Sequence, residues 1–419
     1  MTALRILHLG AADTGGGAAG TSLRLSRALR SAGADSLFLV GRRASDDESV
    51  LQHGAIDACF PGLRPRLESL PCRAYRRRTG ATYHAGVLPD RVAAAARALG
   101  PSIVNLHWVA GGFMQIETLP RLPAPIVWTL HDSWPFTGGC HVPADCDRFI
   151  DRCGACPVLG SRCASDLSRL VWGRKRRAWR GLPITIVSPS ASMAERARRS
   201  SLFRESRVEV IPNGIDTSRY RPLDRSEARS RLGLAEDAPT VLFAAMWAER
   251  EPNKGFQFLA PALAEIRLTG GRRPHLLVAG STTLHRHPAL ADVPARSLGV
   301  LRDDEAMSWA IAAADVVAVP SMQENCPNSV LEALACGRPA VGFRVSGLRD
   351  LVTEGVDGLL VPPFDVRALA SALQPLLEDP RRAAEMGRAG REKVEDRLGL
   401  TAWARRYLEL YDDLQRSTR

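Results

Sequence analysis

The stretch DVVAVPSMQENCPNSVLEALACGRPAVGF, residues 315–343, decides the fold. Its opening run, Asp315 to Ser321, is short, rich in valine and closed by a proline, which reads as a strand buried on both faces. A polar loop follows. Asn328 to Cys336 then takes helical spacing, started near Pro327 and stopped by Gly337 with Pro339 beyond. Ala340 to Phe343 is the next buried strand. Strand, helix and strand in that order form one unit of a parallel sheet covered by helices.

The same alternation extends in both directions. Upstream lie the apolar runs Val241 to Ala244 and Leu276 to Val278, and downstream lies Leu359 to Val361, with a helix expected over Asp304 to Ala314. In the first half, Leu4 to Leu9, Ser36 to Val40, Ile103 to Val109, Ile126 to Leu130 and Ile184 to Val187 read as strands, and Ser22 to Ala32 as a helix with leucines at 3–4 spacing. Residues 42–88, rich in Arg and Pro, fit this scheme poorly and read as an irregular insertion. IPNGIDTSRYRP, residues 211–222, is turn chemistry and a plausible hinge. The expected fold class is α/β, with two doubly wound, Rossmann-like domains facing across a cleft and presenting their strand carboxyl ends to ligands. The expected domains are 1–217, 218–398 and a closing segment, 399–419, that crosses back to the first.

Composition narrows the classes. Of 419 residues, 45% are hydrophobic and 24% charged, the balance of a globular chain rather than a disordered one. Lys+Arg number 56 and Asp+Glu 45, a net +11, but the only lysines are Lys175, Lys254 and Lys393. Scattered arginines without a recognition-module pattern do not make a nucleic-acid binder. No run reaches the ~18 apolar residues of a membrane span, and MTALRILHLG is too short in apolar length for a signal-peptide core. Nine cysteines, an odd number, argue for reduced thiols in a cytoplasmic protein.

Several side chains are placed for chemistry. Gly15, Gly17 and Gly20 match G-x-G-x-x-G, but five residues separate the first strand from them and no acidic residue closes the second strand, so a dinucleotide site is disfavoured. Backbone N–H groups approaching a phosphate or sugar at a helix start fit the loop better. Glu324 sits in the loop at the carboxyl end of the 315–321 strand, and Glu332 lies eight residues later within the helix. The N–H groups near Asn328 and Ser329 suit a diphosphate. Lys254, in an arginine-dominated chain, points to a need for a compact ammonium, against the plainer reading of a solvated lysine. His131 ends a strand where ligands bind, or is a hydrogen-bonded core histidine.

Two further features stand apart. Cys153-x-x-Cys156 is half of a metal knuckle, and Cys140, His141 or Cys146 could complete a structural zinc site; the alternative is a set of reduced thiols. Residues 166–180 (DLSRLVWGRKRRAWR) could lay Trp172 and Trp179 against an anionic membrane or bind a phosphorylated acceptor, or pack those aromatics on the domain.

Taken together, GGGAAG, HDSWPFTGGCH, VSPSASMAERA, IPNGID, NKG, the E-x7-E pair of ENCPNSVLEALACGRPAV, and DGLLVPP resemble the family 4 retaining glycosyltransferases of the GT-B fold. The TGGCH segment with its cysteines resembles a subgroup found in exopolysaccharide and antigen biosynthesis. The resemblance implies that Glu324 contacts donor sugar hydroxyls, Glu332 the ribose, and Lys254 the diphosphate. His131 would lie by the sugar, Gly16 and Gly17 by the phosphate or acceptor, and Leu298 to Leu301, including Gly299 and Leu301, would hold the base through the backbone. Five residues before Lys254, where many relatives carry arginine, stands Glu249, with Arg250 adjacent to share the phosphate charge; Met246-Trp247 replaces the usual Gly-Arg pair. The implied reaction moves a hexosyl unit from a nucleotide sugar (UDP- or GDP-linked) to a hydroxyl of a sugar, lipid-linked sugar or small molecule, with no metal cofactor required. A nucleotide-sugar epimerase, a pseudo-glycosyl coupling enzyme or a non-catalytic sugar-nucleotide binder would use the same fold.

Overall fold

In the computed structural model, which describes residues 4–54, 62–246, 251–281, 288–301 and 303–418, the apolar runs form two parallel sheets. The chain divides into two units, Met1–Pro212 with Trp403–Arg419, and Asn213–Ala402.

The first unit holds β1 (Arg5–Ala12), β2 (Asp35–Arg42), β3 (Val50–Gln52), β4 (Ile103–Leu106), β5 (Ile126–Thr129), β6 (Ile184–Ser188) and β7 (Val208–Val210). They lie in the order β3-β2-β1-β4-β5-β6-β7, every pair parallel. The interior strands are apolar because helices cover both faces: every residue of β4, β5 and β6 is buried. The helix Gly17–Ser31 begins five residues before the expected start, so Gly17 and Gly20 belong to its first turns. The 42–88 stretch is less irregular than its composition implied. It supplies edge strand β3, the helix Leu63–Glu68 and a 3-10 turn, Leu70–Ala74.

The closing helix, Leu400–Thr418, enters the first unit at Trp403. Its Tyr411 hydroxyl accepts from Asn105 Nδ2 at 2.7 Å, and Tyr407 shares a hydrogen bond with Thr129 at 3.1 Å. Fully buried phenols need such partners.

The second unit holds β8 (Thr240–Ala244), β9 (His275–Ala279), β10 (Ala295–Ser297), β11 (Val316–Val319), β12 (Ala340–Phe343) and β13 (Gly358–Val361), in the order β10-β9-β8-β11-β12-β13, again parallel throughout. The helices Asp304–Ala313 and Asn328–Ala335 fall where the periodicity puts them.

Each sheet reverses its strand order once, between β1 and β4 in the first unit and between β8 and β11 in the second. At such a point the connecting loops diverge and leave a crevice at the strand carboxyl ends. The loops after those four strands carry Gly15 to Gly17, His107, Lys254 and Glu324.

Candidate functional site

In the second unit the loop after β8 carries Lys254 and the loop after β11 carries Glu324. Lys254 Nζ lies 2.6 Å from Glu324 Oε1, both side chains largely shielded. The two loops are tied together. Asn253 Nδ2 donates to the Gln323 carbonyl at 2.8 Å, and the Met322 amide donates to the Asn253 carbonyl at 2.8 Å. Gly255, which starts the helix Phe256–Glu265, has φ +78° and no room for a Cβ, which would run into the Pro320 carbonyl oxygen. Gly347 likewise admits no Cβ against Asn325, and its amide donates to the Glu324 carbonyl at 3.0 Å. The Lys–Glu pair is therefore held by backbone on both sides.

The helix Asn328–Ala335 begins in the loop that bears Glu324, with no acidic residue in its first turn and no side-chain cap. Its free N–H groups and dipole favour an anion there. Asn328 Oδ1 is buried with no hydrogen-bond partner among the described residues, the kind of atom a ligand hydroxyl satisfies. Ser329 follows it, and Glu332 sits half-buried one turn further along. Gly299 stands beyond β10. Its carbonyl accepts from Gly280 at 2.8 Å and its amide donates to Ser297 Oγ at 3.2 Å, while Leu301 packs its side chain on the core. Glu249, Arg250 and Trp247 lie outside the described residues.

In the first unit, a cavity of about 350 Å³ opens at the β1/β4 crossover, lined by Gly15, Gly16, Gly17, Ser22, Arg42, His107 and Trp108 among others. Nothing stands within 4 Å of where a Gly16 side chain would begin, so that backbone is open to a ligand. His131, after β5, reaches this wall through its partners: its Nε2 is 3.0 Å from His107 Nδ1 and 3.3 Å from Ser22 Oγ. His107 Nε2 in turn lies 2.8 Å from His8 Nδ1. Burial drives all three histidines toward neutrality, His8 to about 3, His131 to about 4 and His107 well below its usual value.

A second polar chain runs beside it. Asp132 Oδ2 accepts from His141 Nδ1 at 2.6 Å and from Trp108 Nε1 at 2.8 Å, and His141 Nε2 lies 2.7 Å from His84 Nδ1. Burial alone would raise the Asp132 pKa, but His141 and the Trp134 amide outweigh it and hold the carboxyl ionised. None of His8, His84, His107, Trp108, Asp132 or Arg42 stands out in the sequence. The available signal was the strand ends: His107 and His131 each stand just past adjacent parallel strands, and His8 faces them from within β1.

The cysteine loop and the basic helix that follows it both pack within the first unit. The four cysteines of the expected zinc set, Cys140, Cys146, Cys153 and Cys156, line one small pocket, and among the described residues no three His, Cys, Asp or Glu side chains stand as a ready metal-ligand group. His141 is engaged by Asp132 and His84, and Cys153 Sγ accepts the Gly138 amide at 3.1 Å. Trp172 and Trp179 do not face a membrane. They are buried in the first unit's core, because the helix Leu167–Trp179 turns them inward together with Lys175. Among the described residues no helix is long and apolar enough to cross a membrane.

Residues 15–219 match the family model described as Glycosyltransferase Family 4, and residues 238–379 the one described as Glycosyl transferases group 1. The chain belongs to glycosyltransferase family 4. It is 36% identical over 300 residues to a D-inositol 3-phosphate glycosyltransferase of Nocardia farcinica, a match covering 68% of this chain and 60% of that one. A D-inositol 3-phosphate glycosyltransferase of Segniliparus rotundus is 28% identical over 353 residues, 81% of this chain and 70% of that one. The match thus spans less than two thirds of the Nocardia protein's length. Among solved structures, sucrose-phosphate synthase from Thermosynechococcus elongatus superposes with a TM-score of 0.72 at 21% identity, over 99% of this chain and 100% of that chain. Anabaena HepE in complex with UDP-glucose gives 0.65 at 18% identity, over 98% and 100%. These likenesses establish the fold, GT-B, with its two Rossmann-like sheets.

Proposed function

We propose that this family 4 glycosyltransferase moves a hexosyl unit from a nucleotide-diphosphate sugar to an acceptor hydroxyl with retention at the anomeric carbon. The observation that carries the reading is the Lys254–Glu324 pair at the β8/β11 crossover, beside the uncapped start of the Asn328–Ala335 helix. A donor diphosphate takes the Lys254 ammonium and the helix N–H groups, and Glu324, released from the pair, accepts hydrogen bonds from sugar hydroxyls. Asn328 Oδ1 gains a partner, and Glu332, one turn further along, accepts from the ribose. The bond from anomeric carbon to phosphate oxygen breaks as the acceptor oxygen bonds on the same face, and the acceptor proton passes to the departing phosphate.

A UDP-linked hexose is the donor we favour, supported by the HepE complex with UDP-glucose. The relatives named for D-inositol 3-phosphate support a polyhydroxylated acceptor, which we place in the first unit's cavity by Gly16, Gly17 and His131. Such a soluble donor fits a cytoplasmic site of action. Incubation with a panel of UDP- and GDP-sugars and polyol acceptors, with NMR of the product, tests this: an axial donor linkage that remains axial supports it. Epimerised donor without transfer, or inverted product, overturns it.

A further inference from the structure

The helix Leu63–Glu68 lies on the first unit with its polarity reversed. Leu63, Leu67 and Leu70 recur at i, i+4 and i+7, and Ser69 keeps right-handed helical dihedrals into the Leu70–Ala74 turn, so the three share a face. That face is the outer one: the leucines are 39%, 41% and 48% exposed. The polar groups point inward instead. Glu68 is fully buried, and its carboxylate accepts from the Gly86 and Val87 amides. Arg64 donates from Nε to the Gly112 carbonyl at 2.7 Å and from Nη2 to the Pro89 carbonyl at 2.8 Å. These bonds fix which side of the helix faces out. Val87, tied to the helix through Glu68, adds a fourth exposed aliphatic side chain.

The charge around this stripe has one sign. Glu68 is the only acid from residue 62 to residue 89, and it is buried. Arg66, Arg73, Arg76, Arg77 and Arg78 are exposed, and none makes an ion pair or side-chain hydrogen bond among the described residues. By contrast Arg5, Arg27, Arg207 and Arg344, also exposed, each hold a carboxylate. Five cations are left unneutralised beside four aliphatic side chains.

We propose that this face docks on an anionic lipid bilayer, with the leucines entering the boundary between headgroups and acyl chains and the arginines holding lipid phosphates. An aliphatic insert alone or a basic patch alone gives marginal attachment, and the two together give stable docking. A protein partner fits this face less well, because protein interfaces draw on aromatic side chains and on a polar rim. Here Tyr75 turns inward, its Oη accepting from the Leu167 amide at 2.9 Å, and Tyr83 is buried.

The helix also borders the cavities. Gly62 and Pro65 help line a cavity of about 160 Å³ with His84, Trp108 and Phe113, and this cavity shares Ala12, Arg42 and Trp108 with the larger one by the glycine loop. Docking therefore brings the bilayer beside the space proposed for the acceptor, which suits an acceptor carried on a lipid. That consequence rests on the reading of the chain as a sugar transferase; the docking itself does not.

The test is co-sedimentation of the full chain with vesicles of phosphatidylcholine alone and of phosphatidylcholine with about one third phosphatidylglycerol. Partitioning should be at least about tenfold stronger on the anionic vesicles and should weaken as salt is raised. The Arg76→Gln/Arg77→Gln/Arg78→Gln variant should lose at least about tenfold on those vesicles, and Leu67→Gln/Leu70→Gln about fivefold. Both variants should keep the wild-type urea midpoint, since the replaced side chains are exposed. Equal partitioning of wild type on the two vesicle types, or an arginine variant that binds as wild type does, overturns the docking surface. Binding that the leucine variant leaves unchanged marks a general polyanion patch and overturns it as well.

Discussion

The ammonium of Lys254 and the carboxylate of Glu324 are 2.6 Å apart across 70 residues of sequence, on the two loops that diverge at the β8/β11 crossover. Two opposite charges left partly exposed contribute little to stability, about 0–1 kcal/mol. Their chemistry is worth more: a paired lysine is neutralised until a diphosphate competes for it.

Lys254→Ala should therefore lower transfer by about 10²–10³-fold while moving the unfolding free energy by less than about 1 kcal/mol. Lys254→Arg should recover only part, because a guanidinium fork does not reproduce a compact ammonium. Steady-state rates and urea denaturation check both.

The backbone support beneath Lys254 predicts a contrasting variant. Gly255→Ala must accommodate φ +78° and a Cβ against the Pro320 carbonyl oxygen. We expect a loss of about 2 kcal/mol or more, read as a lowered urea midpoint, together with weakened donor binding as the loop shifts. An unchanged midpoint contradicts this packing.

The buried histidines predict acid sensitivity. His8, His84, His107 and His131 all have folded pKa values lowered by burial, to about 3 for His8 and His84 and about 4 for His131. The unfolded chain takes up protons on these groups as pH falls through about 6.5, whereas the folded chain does not. Stability is thus lost on going from pH 6.5 toward 4, by about 1.4 kcal/mol per pH unit for each such histidine. Urea unfolding at a series of pH values should show an uptake of about three to four protons near pH 5; fewer than one contradicts the neutral chains.

Lys175 predicts the opposite limb. It is fully buried, with Nζ donating to the Thr137 carbonyl at 3.1 Å and to the Trp134 carbonyl, and lying 3.7 Å above the Trp134 ring. Burial pulls its pKa down to about 7 despite the neighbouring Cys153, Cys140 and Asp132. Between pH 7 and the unfolded value of about 10.4 the unfolded chain carries the extra proton, so this group adds stability as pH rises through that window. A Lys175→Met variant should lack the rise, and the difference between the two curves should grow by about 2 kcal/mol or more from pH 7 to pH 10.

What could be read from residues alone followed from how deeply they are buried. Interior strands such as β4, β11 and β12 announce themselves as unbroken apolar runs because both faces are covered. The strands β3 (VLQ), β7 (VEV) and β10 (ARS) were not legible because each is a three-residue edge with little to bury. Lys254 and Glu324 were legible through the scarcity of lysine and the spacing of the acidic pair. All three lysines prove to be bonded at defined points: Lys175 to carbonyls, Lys254 to Glu324, and Lys393 to Asp357 and Thr353. The histidine and Asp132 chains were not legible, since His8 meets His107 across 99 residues and His84 meets His141 across 57. A lone histidine carries no mark of its partner. The cysteine spacing does bring Cys140, Cys146, Cys153 and Cys156 around one small pocket.

The most direct test of the donor site is isothermal titration of UDP- and GDP-sugars into the wild-type chain and Lys254→Ala. At least one nucleotide sugar should bind to wild type, with affinity weakened at least tenfold in the variant. Equal affinity in the two, or no nucleotide sugar bound by wild type, would contradict it.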